Sequence, residues 1–274
     1  MQTRPIPASG EQLPVIGCGT YRGFDVGRQG AAYRRLPGVL DALFAAGGSV
    51  IDSSPMYGRA EAVTGELLAE QSTHRKAFIA TKVWTRGNQA GIAQMQRSFE
   101  LLKTDTIDLM QIHNLLDWKT HLPTLREWKA AGRIRYLGVT HYTASAFADL
   151  EAVMRAEPLD FVQLNYSIVD RAAEHRLLPL AAERGIAVLA NLPLASGGAL
   201  RSLNKRPLPQ WASELKCSSW SQLLLKFVIG HPAITCAIPG TGDPEHMADN
   251  ARAGIGPLPD AAMRDRIAAY CSGA

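Results

Sequence analysis

Short apolar runs rich in β-branched residues alternate along this chain with longer amphipathic stretches. The runs predict eight strands, at 15–19, 49–52, 78–82, 107–112, 134–140, 161–165, 187–190 and 235–238. The stretches that follow them predict eight helices, at 32–46, 60–70, 90–101, 120–131, 144–156, 173–184, 219–230 and 244–253. Gly47, Gly48, Gly132 and Gly185 fall where helix ends favour residues free to adopt left-handed backbone. Strand–helix alternation implies a parallel sheet with right-handed crossovers. Eight units exceed the roughly five to seven strands of a doubly wound sheet and predict a closed (β/α)8 TIM barrel.

Two pieces flank the repeat and one interrupts it. Segment 3–16, with Pro5, Pro7 and the turn-forming run Ala8-Ser9-Gly10-Glu11, predicts an N-terminal β-hairpin. Residues 260–270 predict an extra C-terminal helix. Residues 192–217 read as a long Pro-, Ser- and Gly-containing loop, of the kind that serves function at a strand's C-terminal end. No domain boundary is visible.

Composition narrows the class. With 274 residues and 46% hydrophobic positions, the chain can build its core without disulfides or a structural metal. Cys18, Cys217, Cys236 and Cys271 are scattered, with neither CxxC pairing nor histidine at metal spacing, which suits a reducing compartment. The +4 charge is mild, and the densest basic stretch, 201–206, lacks the interleaved aromatics of a nucleic-acid face. No apolar run reaches the ~18 residues of a membrane span, and the amino terminus MQTRPIPASGEQ has no signal-like core. A cytoplasmic protein without membrane or nucleic-acid partners is expected, unless a leader has been removed ahead of Met1.

The chemistry gathers at the strand ends, where barrel enzymes place it. Asp52 ends the second predicted strand and Tyr57 follows it; Thr81-Lys82 ends the third. The fourth leads into Gln111-Ile112-His113-Asn114, the fifth into Thr140-His141, and the sixth into Gln163-Leu164-Asn165. Singly, each has an ordinary structural role: a loop cap, a packed ring, a solvated lysine, a satisfied histidine. Together they share one rim. A phenol is normally too weak an acid to work near neutrality, with pKa ~10. A nearby Lys82 ammonium is expected to lower it, with Asp52 holding the lysine and His113 sharing a substrate oxygen. A phenol poised to protonate an oxygen suits carbonyl reduction, whose hydride no side chain supplies.

These residues resemble the aldo-keto reductase superfamily, over nearly the whole chain. Ile51-Asp52-Ser53-Ser54-Pro55-Met56-Tyr57-Gly58 is similar to that family's Asp-Thr-Ala…Tyr-Gly segment. Lys82 follows 25 residues after Tyr57, and His113 31 after Lys82, close to family spacing. The resemblance implies a single barrel domain over 1–274 that reduces an aldehyde or ketone with a nicotinamide cofactor. By it, Tyr57 is the general acid, Asp52 and Lys82 tune it, and His113 orients the carbonyl.

The resemblance also implies cofactor contacts. Gly19, Thr20 and Tyr21 match the Gly-Thr-aromatic segment, and Asp52 and Gln163 belong to the same set. Thr140 and His141 stand where the family has Ser-Asn, and Asn191 where many relatives stack a Tyr or Trp on the nicotinamide. Leu192, Pro193, Leu194, Ser196 and Gly197 resemble the loop over the pyrophosphate. Ile238, Pro239, Gly240, Thr241, Glu245, His246 and Asn250 resemble the adenosine-phosphate site. Gly240 and His246 replace a Lys and Arg common in NADP-preferring relatives, and a neutral His is a weaker phosphate ligand than Arg. The expectation is NADP(H) favoured, with NAD(H) open. Tyr21, Tyr57, Trp84, His113 and Trp118 are expected at the carbonyl substrate, with Phe24 and segment 201–211 nearby. No metal is called for, and a monomer or weak homo-oligomer is expected.

A Rossmann reading of Gly17-Cys18-Gly19-Thr20-Tyr21-Arg22-Gly23 fails because its last glycine is one position late. Two other readings stay open: a hydrolase or isomerase barrel using Asp52 with His113, and a catalytically silent cofactor-binding subunit or sensor.

Overall fold

The computed structural model describes residues 1–203 and 205–272. Strands β1 (Thr3–Pro5) and β2 (Gln12–Pro14) pair antiparallel as the expected hairpin. Eight parallel strands follow: β3 (Cys18–Gly19), β4 (Val50–Asp52), β5 (Phe78–Val83), β6 (Ile107–Ile112), β7 (Ile134–His141), β8 (Phe161–Asn165), β9 (Ala187–Asn191) and β10 (Cys236–Ala237). Each pairs with its sequence neighbour. The first and last also meet, through parallel bridges Ile16↔Ala237 and Gly19↔Gly240 and the bond from Gly17 N–H to Ala237 O at 2.9 Å. The sheet therefore closes into a (β/α)8 barrel.

Among the described residues ten α-helices accompany it: α1 (Ala31–Ala45), α2 (Ala60–Glu70), α3 (Asn88–Leu102), α4 (Trp118–Ala130), α5 (Phe147–Ala156), α6 (Leu177–Arg184), α7 (Gly198–Leu203), α8 (Trp220–Ile229), α9 (Pro244–Arg252) and α10 (Ala261–Ser272). Gly185 ends α6 with φ of 65°, the left-handed conformation its position called for. Gly65 serves packing instead: a Cβ there would stand 2.1 Å from Leu101 O, so α2 and α3 touch backbone to backbone. Among the described residues no helix is long and apolar enough to cross a membrane.

Three expectations need correction. The strand expected at 15–19 is regular only over Cys18–Gly19 and pairs through single bridges elsewhere. The helix expected at 173–184 is a 3-10 turn, Ala172–His175, followed by α6. The expected loop 192–217 carries α7 and a 3-10 helix, Gln210–Leu215; its Asn204 lies outside the described residues.

Alternation within the strands determines what the barrel holds. Val50, Phe78, Ala80, Leu109, Tyr136 and Phe161 point inward and pack with Ile6 and Leu13 from the hairpin. The hairpin thus plugs the N-terminal end of the barrel. Two residues further along each strand the same inward phase reaches Asp52, Lys82, Gln111 and Gln163. An apolar floor gives way, within one pleat, to a polar layer facing the open C-terminal mouth.

Candidate active site

The centre of the polar layer is a buried ion pair. Lys82, with no exposed surface, places Nζ 2.7 Å from Asp52 Oδ2 and donates to Ser53 O at 2.7 Å. The other Asp52 oxygen, Oδ1, accepts from Gln163 Nε2 at 2.8 Å and Gln111 Nε2 at 3.2 Å. Four strands thereby converge on one carboxylate. Burial alone would discharge Lys82, but Asp52 and the neighbouring Tyr57 phenol outweigh it and raise the ammonium's pKa above the ordinary lysine value.

Tyr57 sits above this pair in the loop after β4. The loop is tight: Tyr57 N–H donates to Ser54 O at 2.9 Å, and Arg59 N–H donates to Asp25 Oδ1 at 2.9 Å. Gly58 is required there, having φ of 59° and no room for a Cβ beside the Asp25 carboxylate. The Lys82 ammonium stands 5.0 Å from the centre of the Tyr57 ring. Two of its three protons serve Asp52 and Ser53, and the phenol is the neighbour of the third. Burial nevertheless wins, so the Tyr57 pKa lies above the ordinary phenol value; Lys82 pulls it down, and the Asp52 charge pushes it up. Lys82 thus acts in the expected direction, but burial, which the sequence does not display, outweighs it. The phenol keeps its proton at neutral pH, as a proton donor must.

His113, at the end of β6, meets the Tyr57 ring edge-on at 5.8 Å. Its Nδ1 is 2.9 Å from Ser54 Oγ, which also accepts from Met56 N–H at 3.4 Å. A hydroxyl already accepting is free to donate, which favours the ring proton on Nε2. Burial, aided by Lys82 and His141, pushes the His113 pKa down to about 3. It is a neutral hydrogen-bonding group. Asp52, meanwhile, is held by Lys82 and the two glutamines, while His113 bonds to Ser54, so the two are not joined by a hydrogen bond as the acid–base pair of a hydrolase or isomerase would be.

The mouth has two unlike halves. Over β3–β5 it is apolar: exposed Tyr21 lies 5.0 Å from the Tyr57 ring, Trp84 lies 6.4 Å from His113, and Met56 is exposed between them in sequence. Over β7–β9 it is amide-rich: Thr140, His141, Gln163, Asn165 and Asn191. Asn165 and Asn191 are register partners, and Oδ1 of each is buried without a hydrogen-bond partner among the described residues. Orphaned buried acceptors call for N–H or O–H donors from a ligand or water. A carboxamide such as that of nicotinamide fits this half. Leu192, Ser196 and Gly197 continue the rim with φ of 48°, 53° and 77°, a contorted loop beside Pro193 and Leu194. Ile238, Pro239, Gly240 and Thr241 lead to α9, whose N-cap Asp243 accepts from Glu245 N–H at 3.0 Å and pairs with Arg35 at 2.7 Å. Glu245 and His246 are exposed beside it, and buried Asn250 accepts from Ser221.

Some expected residues do other work. Thr20 is fully buried and spends its hydroxyl on Asp52 O and Ser53 Oγ, both at 3.0 Å, so it braces the β4 end. Phe24 has no exposed surface and cannot line a pocket. Trp118 stands at the start of α4 on a groove of about 220 Å³ shared with Leu122, Pro123, Arg126 and Glu157, whereas the rings against His113 are Tyr57 and Trp84. Trp211 packs edge-on against Tyr270 of α10 at 5.8 Å. Conversely, Gln111 and Ser54 were assigned no role from sequence. Gln111 was detectable, being inward-phased two residues before His113.

Comparison with known proteins agrees with this geometry. The profile of the Aldo/keto reductase family matches residues 15–269. The methylglyoxal reductase YeaE of Escherichia coli (strain K12) is 30% identical over 260 residues, covering 92% of this chain and 89% of that protein. An aldo/keto reductase from Klebsiella pneumoniae, solved in complex with NADP and acetate, is 26% identical with a TM-score of 0.81, covering 97% of this chain and 95% of that one. A second Escherichia coli (strain K12) relative, an NADH-specific methylglyoxal reductase, is 27% identical over 212 residues, covering 66% of this chain and 63% of that protein.

Proposed function

Since the chain belongs to the aldo/keto reductase family, we propose that its single barrel domain reduces aldehydes or ketones to alcohols, with Tyr57 giving the proton. The observation that carries this assignment is the buried Lys82–Asp52 pair beneath a protonated phenol, with neutral His113 at its side. A reduced nicotinamide held in the mouth would supply the hydride. Tyr57 and His113 Nε2–H hold the carbonyl oxygen, which polarises the carbon and fixes its approach. As the carbon gains hydride, charge grows on the oxygen and the Tyr57 proton passes to it. The phenolate left behind is stabilised by Lys82, whose own charge Asp52 fixes in place. Tyr21, Trp84 and Met56 shield the reacting carbon from water.

Thr140, His141, Gln163, Asn165 and Asn191 would hold the carboxamide, and the 192–197 loop the pyrophosphate. NADP(H) is the favoured cofactor, by likeness to the Klebsiella neighbour solved with NADP. The preference is small, because Asp243 and Glu245 oppose a ribose phosphate at the amino end of α9, and NAD(H) serves more weakly. The protein acts on a small-molecule carbonyl as a cytoplasmic monomer or weak homo-oligomer. The test is cofactor oxidation, with NADPH and NADH in parallel, against a panel of aldehydes and ketones. Turnover with NADPH the better cofactor is expected; binding of both without turnover on any carbonyl refutes the activity.

A further inference from the structure

Building on that assignment, we infer that His141 discriminates between the oxidised and reduced cofactor as a function of pH: neutral, it is a hydrogen-bond donor to the carboxamide; protonated, it disfavours the oxidised, cationic ring.

The geometry fixes the neutral tautomer. His141 is the last residue of β7 and half-exposed on the amide-rich side of the mouth. Its Nδ1 faces Thr143 N–H at 3.3 Å and Thr143 Oγ1 at 3.2 Å. A backbone N–H can only donate, so Nδ1 carries a lone pair and the ring proton belongs on Nε2. Among the described residues Nε2 has no hydrogen-bond partner. It is a donor left free for a ligand. The Tyr142 ring lies nearly parallel to the imidazole, 5.9 Å away and 9° apart, and Asn165 Nδ2 holds Tyr142 O, so the segment is braced.

Burial and the nearest charge act on the ring in opposite directions. Burial lowers the His141 pKa, and Asp149 from α5 pulls it back up. His113, at the end of β6, is itself held neutral. From β8 come only the amides Gln163 and Asn165; Asp170, beyond β8, faces Asn165 Nδ2 at 3.4 Å. Lys82 is balanced by Asp52. Protonation therefore adds a positive charge at the mouth, offset only in part by Asp149. It also sets a new N–H against that of Thr143, a local strain indifferent to the cofactor's redox state. The oxidised nicotinamide ring is cationic and the reduced ring neutral, so only the oxidised form meets repulsion. At separations across such a half-exposed mouth this weakens its binding on the order of fivefold.

The experiment measures dissociation constants for NADPH and NADP⁺ by quenching of tryptophan fluorescence between pH 5 and 8. It uses the wild type, His141→Asn and the permanently cationic His141→Lys, with 2′-phospho-ADP-ribose as a probe lacking the nicotinamide. The expected result is an NADP⁺-to-NADPH ratio of dissociation constants that rises about fivefold toward pH 5 in the wild type. The ratio stays flat and low in His141→Asn and flat and high in His141→Lys, while the probe binds alike in all three. Equal ratios in the three proteins across the range overturn the inference while leaving the reductase assignment standing. Failure of both cofactors to bind any of the three overturns the assignment as well.

Discussion

Removing the Lys82 ammonium tests the architecture of the site directly, because the structure predicts both the size and the non-additivity of the effect. Lys82 has no exposed surface and Asp52 is 2% exposed, so Lys82→Met leaves a carboxylate stranded in the barrel with only two amide donors, from Gln111 and Gln163. Breaking one partner of a buried pair costs about 3–5 kcal/mol. For a chain of this size that is a fall in melting temperature of roughly 6–20 °C. Asp52→Asn strands the ammonium instead, with Ser53 O as its remaining acceptor, and carries a comparable penalty. Neither charge survives in the double variant Asp52→Asn/Lys82→Met, which should therefore unfold at nearly the same denaturant concentration as the weaker single variant. The assay is a double-mutant cycle by equilibrium urea unfolding, followed by far-UV circular dichroism. Single-variant losses that add to within ~0.5 kcal/mol in the double would refute the coupled buried pair.

Two further outcomes follow from the same coordinates. His113 is 5% exposed with its pKa pushed to about 3, below the ~6.5 of an unfolded chain, so its contribution to stability is complete above pH 6.5 and is lost as pH falls toward 3. The wild type should lose up to about 1.4 kcal/mol more per pH unit than His113→Asn between pH 6 and 4, measured by thermal unfolding; parallel curves would contradict this. Gly65→Ala forces a methyl group into the α3 backbone and should destabilise by about 1–3 kcal/mol, whereas an unchanged urea midpoint would show that the two helices are not in backbone contact.

The barrel was legible because its signal repeats: eight β-branched runs spaced by amphipathic stretches leave little room for another topology. The site was legible for a related reason. Asp52, Lys82, Gln163 and His113 lie in or just after the C-terminal halves of strands, and inward phasing follows from counting by two. What remained hidden depends on contacts distant in sequence. Nothing local to Thr20 says that its hydroxyl is spent on Asp52 O and Ser53 Oγ, 32 and 33 residues away. The same holds for Phe24, Trp118 and Trp211, whose aromatic character suggests a pocket until packing shows a core, a helix groove and a helix–helix contact. The pull of Lys82 on Tyr57 was legible and correct in direction, but the larger opposing effect of burial was not, because a charge can be read from sequence while desolvation requires the surrounding walls.

Replacing Tyr57 with phenylalanine, which deletes a single oxygen, and measuring carbonyl turnover beside cofactor affinity is the most direct test of proton donation by this residue. Cofactor binding within about twofold of the wild type, with turnover down at least ~10²-fold, is the predicted result. Turnover that survives the change intact would contradict it, and the proton would have to come from elsewhere.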